Sequence, residues 1–267
     1  MKKLELDKNL IKKLYLEGNS AYIISKQLKC SERPIQVIIR ELGIMRTHSE
    51  SCKLRTRNPT GKKNEDFFET IDTEEKAYWL GFLMADGCVN LKAKRVQLAL
   101  AETEPLEKFK KSIKSNQDIK KYIRKDGHIT YRLDITSEKM CNDLIKYGCV
   151  PKKTYILKFP NIQKDLEKHF IRGYFDGDGS IFFNKPIGNY IKPTIHIVGN
   201  KEFLSVLKEK LNLNEYKMTL LIRHPERNNN IRHFTLDGKT ACKKFFNFVY
   251  KDATIYLERK YIKFTTI

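Results

Sequence analysis

The chain has 267 residues and a formal net charge of +20, from 52 Lys and Arg against 32 Asp and Glu; it is long enough for two or three compact units with their own cores, and its basic excess points to nucleic-acid phosphate. It contains no run of about twenty apolar residues to span a membrane, and Met1-Lys2-Lys3-Leu4-Glu5-Leu6-Asp7 has no apolar core after its lysines, which excludes a signal peptide. Its six cysteines (Cys30, Cys52, Cys88, Cys141, Cys149, Cys242) form no Cys-x-x-Cys pair and no zinc spacing with His, so they are expected to be reduced, mostly buried thiols of an intracellular protein with access to DNA.

Residues 1–63 hold 15 basic against 6 acidic side chains, a large share of the excess in a small part of the chain. Within them, 7–43 reads as three short helices. Leu10, Ile11, Leu14 and Tyr15 form one apolar face before Gly18. Ser20 can cap a helix from Ala21 to Leu28 and Ser31 another from Glu32 to Leu42. The third helix turns Ile35, Ile38, Ile39 and Leu42 inward and Arg33, Gln36 and Arg40 outward. This is a helix-turn-helix pattern. It resembles the small DNA-binding domains of resolvases and invertases, with Gly18-Asn19-Ser20 as the Gly-x-Ser step before the helix pair. The resemblance implies DNA contacts from Arg33, Gln36 and Arg40; a three-helix bundle used for protein contacts is the plain alternative.

Residues 44–66 show no periodicity. Arg46, Lys53, Arg55, Arg57, Lys62 and Lys63 lie among Ser, Thr, Asn, Pro59 and Gly61, which predicts an extended basic tether able to follow phosphates or place Arg46, Arg55 and Arg57 in a minor groove.

Two stretches then nearly repeat one another: Trp79-Leu80-Gly81-Phe82-Leu83-Met84-Ala85-Asp86-Gly87 and Ile171-Arg172-Gly173-Tyr174-Phe175-Asp176-Gly177-Asp178-Gly179. Each is a helical run ending in Asp-Gly. Gly81 with Ala85 and Gly173 with Gly177 put small residues one turn apart, on a face where two helix backbones can approach closely. Two such helices packed together would set Asp86 and Asp178 side by side, where carboxylates can share divalent metal ions. The copies resemble the LAGLIDADG motif of homing endonucleases, with Asp86 and Asp178 at its metal-binding acidic position. The first departs from the second in having Met84 where the other has Asp176.

Each motif heads the same order of elements. The first repeat, from residue 67 to 160, has strands at Cys88–Leu91 and Arg95–Glu102, a helix at Glu104–Lys114, a hairpin of Ile119–Lys125 and Ile129–Thr136, and a helix at Glu138–Tyr147. The second, 161–267, has strands at Ser180–Lys185 and Thr194–Val198, a helix at Lys201–Leu211, strands at Tyr216–Arg223 and Ile231–Leu236, and a helix at Lys239–Tyr250. The expected class is α+β: two tandem αββαββα repeats behind a small all-α domain, each sheet covered on one face by helices. The resemblance implies a pseudo-two-fold saddle over double-stranded DNA, formed by one chain acting as a monomer.

Strand alternation assigns the faces. Val96, Leu98 and Leu100 point inward, leaving Arg95, Gln97, Ala99 and Ala101 toward DNA. Ile129, Tyr131, Leu133 and Ile135 point inward, leaving Thr130, Arg132 and Asp134. In the second repeat Asn184, Thr194, His196, His233 and Thr235 take the outer positions. Arg, Gln, Asn and Asp match base edges in the major groove.

Phosphodiester hydrolysis needs a water nucleophile, charge stabilisation and help for the leaving oxygen. Asp86 and Asp178 suit Mg²⁺, with Mn²⁺ a substitute and Ca²⁺ expected to support binding without cutting. By resemblance, the carbonyls of Ala85 and Gly177 are further ligands. A basic residue in each half would stabilise developing charge: Lys153 of Pro151-Lys152-Lys153-Thr154, which resembles the family's Lys-Thr segment, and Lys260 of Glu258-Arg259-Lys260-Tyr261, with Arg259 as second choice. The expected function is site-specific double-strand cutting that leaves short 3′ overhangs. A regulator that binds without cutting and an RNA-binding splicing helper are the alternatives. The termini, Met1 and Thr265-Thr266-Ile267, lack the residues protein splicing uses and predict a chain that is not an intein.

Overall fold

The computed structural model of the chain describes residues 6–51, 61–151, 153–184, 191–213, 218–222 and 230–267. It divides into two units, residues 1–60 and 61–267. Among the described residues no helix is long and apolar enough to cross a membrane.

The first unit contains α1 (Lys8–Leu16), α2 (Ala21–Gln27) and α3 (Glu32–Glu41). Asp7 caps α1 by accepting from the amides of Asn9 and Leu10, and Ser20 caps α2 through Ile23 N. Ser31 stands at the cap position of α3 but makes no side-chain capping bond. Ile11, Tyr15, Ile24, Ile35, Ile38 and Ile39 form the core. Leu10, expected to be inward, is 40% exposed: the core of so small a bundle is filled by Ile11 and Tyr15, leaving Leu10 on its rim.

The expected tether is anchored at both ends. Ile44 packs on the helical core, and residues 48–51 form a helical turn begun by Thr47, whose amide and hydroxyl both donate to Glu50. Asn64 N donates to Ile113 O at 2.7 Å, and Lys62 O accepts from Asn116 N. Arg55 and Arg57 lie outside the described residues.

The second unit runs α4 (Glu74–Asp86), β1 (Gly87–Asn90), β2 (Arg95–Leu100), α5 (Glu104–Ser112), β3 (Lys120–Ile123), β4 (Ile129–Thr136) and α6 (Glu138–Lys146). It then repeats as α7 (Glu167–Asp178), β5 (Gly179–Phe183), β6 (Pro193–Asn200), α8 (Lys201–Leu211), β7 (Met218–Ile222), β8 (Ile231–Asp237) and α9 (Lys239–Tyr250), with α10 (Glu258–Thr265) closing the chain. The sheets have the same antiparallel order, β1-β2-β4-β3 and β5-β6-β8-β7. The fold is the expected α+β arrangement of two tandem repeats. Helix α10, with Phe264 buried in an aromatic group that includes Phe245, Phe246 and Tyr250, is an addition to the expected order.

Burial follows the strand alternation with two exceptions. Val96, Leu98, Leu133 and Ile135 are inside, but Ile129 is 42% exposed, because it pairs with Ile123 at the outer end of a hairpin whose β3 residues are all exposed. Thr194, expected to face outward, is buried; its hydroxyl donates to Asp237 and accepts from Asn184 Nδ2. Of the described cysteines, Cys141, Cys149 and Cys242 are buried, Cys30 is half-buried and Cys88 exposed, all as free thiols, and Cys52 lies outside the described residues.

Candidate active site

Helices α4 and α7 form the contact between the repeats, and glycine makes it close. A Cβ at Gly81 would stand 2.1 Å from Phe170 O, and one at Gly173 would stand 1.9 Å from Tyr78 O, so neither position accepts a side chain without parting the helices. At the next turn a Cβ on Gly177 would lie 2.4 Å from Ala85 Cβ and 3.4 Å from Asp86 Oδ2. Gly177 adjoins Asp178. The packing therefore brings the two aspartates, each the last residue of its helix, to the same pair of abutting C-termini, both exposed.

Two lysines reach this spot. Lys153 Nζ donates to Gly87 O, and Lys260 Nζ donates to Gly179 O at 2.5 Å. Gly87 and Gly179 each directly follow an aspartate, so the two lysines occupy corresponding places in the repeats. Their surroundings differ. Lys153 is half-buried, whereas Lys260 is 3% exposed and also donates to Phe175 O, Asp176 O and, at 3.3 Å, Gly177 O. Burial pushes the Lys260 ammonium down to about 8, against the opposing pull of Asp176, Asp86 and Asp178. Burial also pushes the Asp86 carboxyl up, although the residue keeps an exposed edge, while Lys260, Lys153 and Arg259 pull it down. Arg259 is exposed and its Nε lies 2.9 Å from Glu102.

Helix C-termini carry the negative end of the backbone dipole. Two carboxylates at two such ends make a place where cations are favoured, and the lysines only partly neutralise it. Asp86 and Asp178 offer hard oxygen to a divalent ion, with Ala85 O and Gly177 O beside them; the long contact from Lys260 makes Gly177 O the more contested donor. Among the described residues no group of three or more His, Cys, Asp or Glu could hold a metal. A metal here would take few protein ligands, which suits Mg²⁺ with its retained waters.

Two buried charged groups of α7 escaped the sequence reading. Asp176, 1% exposed, accepts from Tyr78 OH at 2.9 Å, Tyr250 OH at 2.6 Å and Leu257 N at 2.7 Å, and burial pushes its carboxyl up. Arg172, wholly buried, donates to Glu74 at 2.6 Å, Val249 O at 2.7 Å and Ile255 O at 2.9 Å, and meets His169 Nδ1 at 2.9 Å. Glu74 begins α4, so this ion pair joins the repeats. The available signal was a pair of charged residues one helical turn apart, Arg172 and Asp176, inside an otherwise apolar run.

The remaining expected contact residues fall on three surfaces. Arg33, Gln36 and Arg40 are exposed on α3, and Gln36 and Arg40 help line a cleft of about 660 Å³ within the first unit. Arg46 is not a free tether arginine: its guanidinium stacks 3.9 Å from the Tyr15 ring centroid and donates to Asn19 O. Arg95, Gln97, Arg132 and Asp134 share the open face of the first sheet and are interconnected. Asn184 is exposed beside β5, and Thr235 is half-buried on β8 opposite His196. His196 and His233 stack with centroids 4.2 Å apart and their Nε2 and Nδ1 atoms in contact.

The chain is 24% identical over 162 residues to the replication factor C small subunit of Methanocaldococcus jannaschii, an alignment that takes in 57% of this chain but only 9% of that one. Among solved structures it is similar to the homing endonuclease I-WcaI bound to its DNA recognition sequence, with a TM-score of 0.49 and 14% identity over 84% of this chain and 96% of the other. It is also similar to the LAGLIDADG meganuclease I-AabMI bound to uncleaved DNA, with a TM-score of 0.48 and 14% identity over 71% and 88%. Residues 73–145, from the start of the first motif helix to the end of α6, match the LAGLIDADG-like domain.

Proposed function

We propose that this protein is a site-specific endonuclease that cuts both strands of duplex DNA with the help of a divalent metal ion. The observation that carries this reading is the pair of aspartates at abutting helix ends, one from each repeat, each followed by a glycine whose carbonyl accepts a lysine. The match of residues 73–145 to a LAGLIDADG-like domain supports it.

Asp86 and Asp178 would hold the metal, with Ala85 O and Gly177 O as further donors. A Mg²⁺ bound there would supply a water of lowered pKa and positive charge for the scissile phosphate. The chain's own groups do the rest. Lys153 and Lys260 add fixed positive charge where the phosphorane gains negative charge, and their bonds to the glycine carbonyls orient them before substrate arrives. One aspartate and one lysine from each half serve one strand each, cutting across the minor groove to leave short 3′ overhangs. A single chain supplies both halves, so the protein acts as a monomer. The open sheet faces hold the duplex, and α3 adds contacts through Arg33, Gln36 and Arg40 as a helix-turn-helix.

The test is selection of cut sites from a randomised duplex library in Mg²⁺, with the wild type beside Asp86→Asn and Asp178→Asn. Cutting of one sequence family by the wild type and by neither variant is expected. Selection of bound but uncut DNA would make the protein a regulator on the same scaffold, and selection of RNA would make it a splicing helper.

A further inference from the structure

The polar side chains on the open face of the first sheet are not independent surface residues. Asp134 stands opposite Gln97 in the β2–β4 register and accepts from Gln97 Nε2 at 2.9 Å. Its other oxygen lies 3.0 Å from Arg132 Nε, and Arg95 Nε lies 3.8 Å away on the opposite side. Arg132 is held a second time by Tyr122 of β3: its Nη2 donates to the phenol oxygen at 2.6 Å, and its guanidinium stacks 4.4 Å from the ring centroid. The Asp134 side chain keeps 16% of its surface while Arg95 and Arg132 keep 34% and 30%. The carboxylate is thus the base of the cluster and the guanidinium groups its top.

The donors already engaged decide what is left to offer. Asp134 faces Nε as an ion-pair partner and Tyr122 takes one hydrogen of Nη2, which leaves Nη1 and the second Nη2 hydrogen as the terminal fork. Two parallel donors in a plane match O6 and N7 of guanine in the major groove. Gln97 directs one amide hydrogen to Asp134 and keeps a second amide hydrogen and its carbonyl oxygen, and the oxygen is an acceptor suited to the amino group of cytosine or adenine. Ala99, directly opposite Arg132, places only a methyl group beside it. Asp134 is turned toward its neighbours and does not itself present a free carboxylate to a base.

We propose that Arg132 reads a guanine in the half-site under the first sheet, that Gln97 reads a neighbouring base amino group, and that Asp134 is the positioning residue aiming Arg132 and Arg95. This rests on the reading of the protein as a DNA endonuclease. It concerns duplex DNA because a B-form major groove admits a β-ribbon, whereas the A-form groove of RNA is too deep and narrow for side chains to read. The ordering of a long arginine side chain is completed on folding and not on binding, which favours discrimination over a flexible surface arginine.

The experiment selects bound sites from a randomised duplex library in Ca²⁺ and cut sites in Mg²⁺, using the full chain as wild type, Arg132→Gln, Arg132→Lys and Asp134→Asn, with melting temperatures recorded for each. The wild type should enrich guanine at a position in one half-site. Arg132→Gln and Arg132→Lys should each lower that preference about tenfold to a hundredfold, leaving the other half-site unchanged. Asp134→Asn should melt close to the wild type while relaxing preference at the Arg132 and Gln97 positions together, which a merely structural aspartate would not do. A wild type that cuts a defined sequence without an Arg132-dependent guanine overturns this inference and leaves the endonuclease standing, as does Asp134→Asn that weakens all sequences uniformly. A wild type that selects no duplex overturns both.

Discussion

The two repeats share one chain order and one sheet topology but treat the same helix position in opposite ways. In the first, the residue two before the aspartate is Met84, buried among apolar side chains, and Lys153 is half-buried on a carbonyl of the next glycine. In the second it is Asp176, which organises Tyr78, Tyr250 and Leu257 N, and Lys260 is sealed against four carbonyls at the helix end. Corresponding positions therefore set like groups at the two helix ends from unlike surroundings. An open half is easy to alter without unfolding, whereas a closed half ties its chemistry to the stability of the core.

The sharpest way to break the comparison is to remove what the halves have in common. Asp86→Asn and Asp178→Asn are each expected to lower double-strand cutting below detection while sequence-specific binding in Ca²⁺ persists. Cutting assays on plasmid, with nicked and linear products resolved, and binding by gel shift provide the check. Full activity in either variant would remove the site.

Next come the positions where the halves differ. Asp176→Met leaves two buried hydroxyls and an amide without their acceptor, with an expected cost of about 3 kcal/mol or more. Met84→Asp puts an unpartnered carboxylate into an apolar interior and is expected to cost a similar amount. Lys260→Met should lose activity and about 2 kcal/mol, a fall of roughly 4–8 °C in melting temperature. Lys153→Met should lose activity with little change in melting. Equal stability losses in the two lysine variants would show that the halves are alike.

Deleting residues 1–60 separates the first unit from both repeats and keeps Lys62 and Asn64, which bond to the second unit. The truncated protein should bind DNA more weakly and with a flatter salt dependence, since the slope in log salt is about −0.9 per phosphate neutralised. The footprint should shorten on one side only. An unchanged footprint and slope would assign the three helices to something other than DNA.

The smallest effect expected is on pH dependence. His169 is held down to about 4 by burial first and then by the Arg172 charge, against an opposing pull from Glu74. The unfolded chain, with an ordinary histidine near 6.5, therefore binds the proton first as pH falls, so this site removes stability between about 6.5 and 4. His169→Gln should flatten the fall in melting temperature across that window; an unaltered pH profile would show that His169 does not titrate there.

Much of the architecture was legible in the order of the residues. Helix caps, strand alternation and a doubled glycine-spaced motif are local patterns, and each corresponds to backbone geometry that needs little information from elsewhere. The same spacing placed Asp86 and Asp178 at one site, because glycines a turn apart on two helices leave few other ways to pack them. What the sequence left open depended on partners distant along the chain. Asp176 meets Tyr78, Tyr250 and Leu257, and Arg172 meets Glu74, Val249 and Ile255. Nothing near them in sequence shows that a buried charge will find these groups. Arg46 and Asp134 illustrate the same limit on the surface. A basic residue in a basic stretch and an acid on an outward strand position both looked free to meet DNA; Tyr15 and Asn19 engage the first, and Gln97, Arg95 and Arg132 the second. Periodicity sets which way a side chain points, and only the tertiary fold decides what is waiting there, because desolvation and hydrogen bonding are properties of the assembled neighbourhood.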